Sequence, residues 1–181
     1  MNALILEKQT FKTKTLVTVI GIIACIALPQ AFHAIGAVSG LGTAFSAAFL
    51  PMHLPVLMVG LMSGSWAGLI CGALSPVISF ALSGMPVAAK VPFMAVELAF
   101  YGLVSGMLSG RTMPVIAKVL IAQISGRVMR FAASAAAIYI IGFNGVGIAD
   151  VWNAVSEGLP GIILQLCLIP LMMFRINARH E

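Results

Sequence analysis

The sequence predicts an all-α protein built into a membrane, with six transmembrane helices and both termini on the cytoplasmic side. Three observations carry this. Hydrophobic residues make up 61% of the 181 and charged residues only 8%, against roughly 25% in a soluble domain. The mean hydropathy is +1.10. No Lys, Arg, Asp or Glu occurs between Thr15 and Ala89, a stretch long enough for three helices of about 20 residues each.

A single integral membrane domain over 1–181 follows, with helices near 13–30, 51–63, 66–82, 91–109, 114–141 and 157–176. The first begins behind Lys8, Lys12 and Lys14 and ends at Pro29, because proline cannot donate to the helix ladder. Its basic start and apolar run mimic a signal peptide. The rest of the chain is equally apolar and no convincing small-x-small site follows, so it reads as a retained helix. Residues 31–50, AFHAIGAVSGLGTAFSAAFL, are too rich in Gly, Ala and Ser for a clear span and read as a broken connection. The second helix, from Pro51 to the SGS of 63–65, is short for a full crossing. The third and fourth are separated by ALSGMPVAAKVPF (81–93), and the fifth and sixth by GFNGVGIADVWNAVSEG (142–158).

Charge fixes the expected orientation through the excess of Lys and Arg in cytoplasmic loops. With the termini inside, Lys8, Lys12, Lys14, Arg111, Lys118, Arg175 and Arg179 all lie inside, and the outer loops keep only Lys90. This asymmetry accounts for the pI of about 9.5, so a nucleic-acid partner is not implied. The outer side then holds the long loops, 31–50, 81–93 and 142–158, which suggests a solute-binding cup open to the outside.

Two glycine series mark close helix approach. Gly64, Gly68 and Gly72 recur every four residues, as do Gly102, Gly106 and Gly110, and Gly21-x-x-x-Cys25 is a weaker version. Four-residue spacing lines small residues along one helical face, suited either to packing within the chain or to docking on another membrane subunit.

Ionisable residues inside a bilayer are costly and point to function or pairing. Glu97 lies about 9 Å into the fourth helix and Arg130 about 16 Å into the fifth, at 1.5 Å per residue. The two can bridge if those helices are neighbours; otherwise one of them meets a solute. His33 and His53 flank the broken segment. Two histidines without a nearby Cys, Asp or Glu do not make a zinc site, so no metal is expected, and rim hydrogen bonding or interfacial anchoring are the readings open to them. Cys25, Cys71 and Cys167 lie singly in spans, without disulfide or metal spacing. HExxH, GxSxG and the phosphate-binding G-x-x-x-x-G-K-[ST] are all missing from the sequence. The chain is therefore expected to be no enzyme, to bind no cofactor, and to depend on other proteins for any energy from ATP.

Four blocks in order, LPQAFH (28–33), FLPMHLPVLMVGLMSG (49–64), LSPVISFALSGMP (74–86) and PFMAVELAFYGLVSG (92–106), together resemble the S components of energy-coupling factor transporters. IAQISGRV (121–128) fits as well. The resemblance covers most of 15–140. It implies a high-affinity vitamin-binding subunit in a bacterial plasma membrane, partnered by a transmembrane T component and two cytoplasmic ATPases. It further implies a solute site near the outer side, covered by the first and third loops, and delivery by toppling of the whole subunit. On this basis the candidate solute contacts are His33, Met52, His53, Met85, Lys90, Phe93, Glu97, Arg130, Asn144 and Trp152. The candidate contacts with the T component are Gly21, Cys25, Gly64, Gly68 and Gly72, although the family's Ala-x-x-x-Ala in the first helix is here Gly21-x-x-x-Cys25. The mostly neutral cup leans toward cobalamin, then pantothenate or pyridoxamine. The rival readings are a self-sufficient secondary transporter or channel, which calls for an internal repeat or a chain of intramembrane charges, and a membrane assembly protein that binds no solute.

Overall fold

A computed structural model describes residues 10–143, 145 and 147–178. Described elements are α1 (Phe11–Val38), α2 (Thr43–Phe49), α3 (His53–Ser63), α4 (Ser65–Ser83), α5 (Val91–Leu108), α6 (Val115–Ala136), α7 (Ile148–Glu157) and α8 (Leu159–Ala178). Six helical stretches are long and apolar enough to cross a membrane: Phe11–Val38, Thr43–Ser63, Ser65–Ser83, Ala88–Leu108, Val115–Ile141 and Leu159–Ile176. Lipid-facing side chains follow, with Leu16, Val19, Ile20 and Ile23 of α1 and Trp66, Ile70, Leu74 and Val77 of α4 all exposed.

The first helix differs from expectation. It runs through Pro29 as far as Val38, so the pyrrolidine removes one backbone donor without ending the helix. Transmembrane helices tolerate this where neighbours pack around the site, and Pro29 is buried. Most of the segment expected to be broken is also helical. After a turn at Ser39–Gly42, α2 doubles back on α1, held by Phe45, which packs on Phe32 and Phe49 at centroid distances of 5.5 and 4.9 Å. At the end of α2, Leu50 adopts a left-handed backbone (φ 48°) and its carbonyl accepts the backbone N–H of His53 at 3.1 Å. The chain thereby turns straight into α3. The loop 142–158 likewise conceals an amphipathic helix, α7, that the sequence reading treated as irregular.

Helix α3 is the core of the bundle. Nine of its eleven residues are buried, among them Val56, Leu57, Val59 and Leu61, in one cluster with Cys25, Leu98, Tyr101, Val119, Ile169 and Met173. With α2 it makes up one bent stretch, Thr43–Ser63, that is long and apolar enough to cross a membrane.

All but Gly110 of the two glycine series lie at one contact, between α4 and α5. A Cβ on Gly68 would strike the backbone of Gly102, one on Gly102 would strike Gly68, one on Gly72 would meet the Leu98 carbonyl, and one on Gly106 would meet Ser65. The backbones touch along this seam, with no room for a methyl group. Polar clamps close the rest. Gln123 of α6 donates to Gln165 of α8 at 2.9 Å, both buried, and Gln165 reaches the Leu50 carbonyl at 3.4 Å. Lys118, counted above among the inner-face charges, is buried and donates through Nζ to the Ser109 carbonyl at 2.8 Å. It caps the C-terminal end of α5, where a cation is favoured by the unpaired carbonyls and the helix dipole.

The two ends of the bundle differ. One carries the tight turns α3–α4 and α5–α6, with the start of α1 and the end of α8. The other carries α2, the 85–90 loop and α7.

Candidate functional site: a cavity over a buried ion cluster

Within the loop-bearing end lies a cavity of about 480 Å³, inside the range of roughly 300–1,000 Å³ typical of small-molecule sites. Its walls come from the end of α1 (Pro29, Gln30, His33), from α2 and the turn into α3 (Ser46, Met52, His53), from the 85–90 loop (Met85, Lys90), and from Ser79, Met94, Arg130 and Glu157. Local folding explains the placements. Extension of α1 beyond Pro29 is what brings Gln30 and His33 to the wall. The left-handed Leu50 swings Pro51 and Met52 under α2 so that His53 opens α3 at the cavity floor. Ser79 donates to the Met85 carbonyl at 2.9 Å, which ties the 85–90 loop across the top of α4.

Beneath the floor sits the ion cluster. Glu97 is fully buried and accepts from Tyr101 Oη at 2.9 Å and from Arg130 at 2.8 Å. Arg127 approaches its other oxygen at 3.0 Å, without the alignment of a hydrogen bond, and both terminal nitrogens of Arg127 lack a hydrogen-bond partner among the described residues. His53 Nε2 stands 3.8 Å from Glu97, too far for a hydrogen bond, and its ring leans on Tyr101 at 5.3 Å. The glycine at 126 makes this possible: a Cβ there would strike the Tyr101 ring and the Glu97 carbonyl, so α6 approaches α5 closely enough for both arginines to reach one carboxylate.

Of the ten residues expected to contact solute, His33, Met52, His53, Met85, Lys90 and Arg130 line the cavity. Glu97 lies below it, serving as the counter-ion of the arginines. Phe93 packs instead with Ala137 and, at 6.1 Å, with Phe143. Trp152 is 73% exposed on α7 and does not reach the cavity, because the amphipathic helix turns its Ala154 and Glu157 inward and leaves the indole outside. Asn144 lies outside the described residues. Gln30, Ser46, Ser79 and Glu157 were not anticipated. Gln30 had a visible signal, a polar residue directly after the apolar run of α1, but its place became apparent only with the helix continuing past Pro29.

The five residues expected at the T component make the following contacts within the chain. Gly68 and Gly72 are filled by α5, Gly64 lies against Gly106, Gly21 is filled by Val59 of α3, and Cys25 is buried with its thiol directed at the Met52 carbonyl at 3.4 Å. Gly21, Cys25, Gly68 and Gly72 pack the chain against itself, and Gly64 is half-buried. Among the described residues there is no group of three or more His, Cys, Asp or Glu placed to hold a metal ion.

No curated protein and no solved structure gives a significant match to the chain. The profile of one family, described as "ECF transporter, substrate-specific component", matches residues 14–173, a span that takes in every cavity wall and the whole ion cluster. By that match the chain belongs to the substrate-specific (S) components of ECF transporters, the substrate-binding subunits of these membrane transport complexes.

Proposed function

We propose that this S component captures a vitamin-sized solute in the loop-end cavity, on the outer face of a bacterial plasma membrane. Docked on a transmembrane T component driven by two ATPases, it delivers the solute inward by toppling in the bilayer. The observation that carries this reading is the cavity itself: a half-open space of about 480 Å³, set at one end of the bundle and flanked by α2 and the 85–90 loop. The outward orientation is supported by charge, since Lys12, Lys14, Arg111 and Arg175 all belong to the opposite end and cations favour the cytoplasmic side. Solutes the size of pantothenate or pyridoxamine fit within such a space, and the half-open cavity leaves a larger one such as cobalamin room to extend beyond its mouth. With the glycine seam filled, docking on the T component falls to the lipid-facing side of the bundle.

The test is uptake in liposomes. The chain reconstituted with a T component and two ATPases is expected to accumulate solute only with ATP, and the chain alone to accumulate none. Transport by the chain alone would establish a secondary transporter instead. His53→Ala is expected to weaken solute binding by about tenfold, the scale of one lost hydrogen bond, because both ring nitrogens lack a hydrogen-bond partner among the described residues. Unchanged affinity would remove His53 from the site.

A further inference from the structure

The ion cluster does not balance. Arg127 and Arg130 share one carboxylate, Glu97, so even with a neutral His53 the cluster carries one positive charge in excess. The chain has five acidic residues, and Glu97 is the one placed within a span. Glu157 lies on α7 at the cavity rim and is exposed. An unbalanced charge in a buried site costs several kcal/mol unless a counter-ion meets it.

Of the two arginines, Arg130 faces the cavity and Arg127 does not line it. Arg130 is only 7% exposed, yet it lines the space while one of its terminal nitrogens holds Glu97. Around it the walls supply donors that the protein leaves unused. Among the described residues, His53 is 3% exposed with neither ring nitrogen hydrogen-bonded, and the Gln30 side-chain amide nitrogen is buried without a partner. Lys90 adds a second cation from the loop above. Cations and donors converging on one half-open cavity form the arrangement that recognises carboxylate and phosphate groups.

We infer that the solute of this cavity is an anion, whose carboxylate or phosphate group is read by Arg130 with His53 and Gln30 and supplies the charge missing from the cluster. The inference rests on the proposed reading of the chain as a solute-capturing subunit and names the class of solute it takes. Glu97 and Arg127 then act as positioning residues. They hold Arg130 half turned toward the cavity, so that it keeps coordination free for the solute. A cationic solute such as pyridoxamine is disfavoured at this floor.

The experiment uses matched pairs with the detergent-purified chain and reads thermal stabilisation: pantothenate against pantothenamide, biotin against biotinamide, nicotinate against nicotinamide, and pyridoxal 5′-phosphate against pyridoxal and pyridoxamine. One acidic member is expected to stabilise the protein, with its neutral partner at least tenfold weaker. The pair that responds tells carboxylate from phosphate. A second reading concerns Arg130→Gln, which leaves Glu97 and Arg127 as a neutral pair. It is expected to abolish the response to the acid while keeping the melting temperature of the solute-free protein within a few degrees of the unmodified chain. A response to neutral or cationic members equal to or above the acids would overturn the anion and leave the capture reading standing. So would a solute-free Arg130→Gln that melts as early as a variant lacking Glu97. Silence across the whole panel would count against the capture reading itself, and the anion with it.

Discussion

Gly68→Leu is expected to yield no folded protein. A single added methyl group at Gly68 would already coincide with the Gly102 backbone, and a leucine has no direction of escape because the obstacle is main chain on a packed helix. Accommodation requires α4 and α5 to separate, which unzips the neighbouring contacts at Gly72–Leu98 and Gly106–Ser65 as well. Overpacking by a methylene in an ordinary core costs about 1–3 kcal/mol, and a backbone seam in a membrane has less freedom to yield. The measurement is size-exclusion homogeneity and melting of the purified variant, beside Gly110→Leu as control. Gly110 has open space where a Cβ would stand, so that variant is expected to behave as the unmodified chain. A Gly68→Leu protein that purifies normally, binds solute and loses only uptake would restore Gly68 to a docking role and contradict the packing described here.

The second large effect is expected from Glu97→Gln. The carboxylate is fully buried and takes in Tyr101, Arg130 and Arg127 together. Its neutralisation leaves two guanidinium groups buried without a counter-charge, and breaking a buried pair in this way costs about 3–5 kcal/mol. For a chain of this size that corresponds to a fall in melting temperature on the order of 10 °C. Arg127→Met, which leaves a single Glu97–Arg130 pair, is expected to cost less. A Glu97→Gln protein that melts with the unmodified chain would mean that the guanidinium charges are already met by water or lipid headgroups, and the cluster would lose its role beneath the cavity.

Much of the bundle was legible because hydropathy and charge report directly on the bilayer. The fourth and fifth predicted helices, near 91–109 and 114–141, agree closely with Val91–Leu108 and the stretch Val115–Ile141. The possible bridge between Glu97 and Arg130 was visible as well, since ionisable residues in adjacent spans have few partners to choose from. Two kinds of information were not legible. Pro29 reads as a stop signal by its local chemistry, and only the packing around it shows that α1 continues; that continuation moves Gln30 and His33 from a loop into a wall. The glycine series states that something approaches closely without saying what. Gly68 and Gly102 are separated by more than thirty positions in the chain, and their partnership is a property of the tertiary arrangement. The position of Trp152 outside the cavity wall was not legible for a related reason: α7 is amphipathic, and which residues of such a helix face the cavity depends on how it lies on the bundle.

The central claim is that this chain by itself is the solute-capturing element. Isothermal titration of the detergent-purified chain, without T component or ATPases, tests it most directly with the acids of the matched panel as titrants. Saturable binding of one acid at one site per chain is the expected result, with no heat from its neutral partner. A chain that is folded and monodisperse yet takes up none of them would contradict the account, because a preformed cavity over an unbalanced buried charge would then have no occupant.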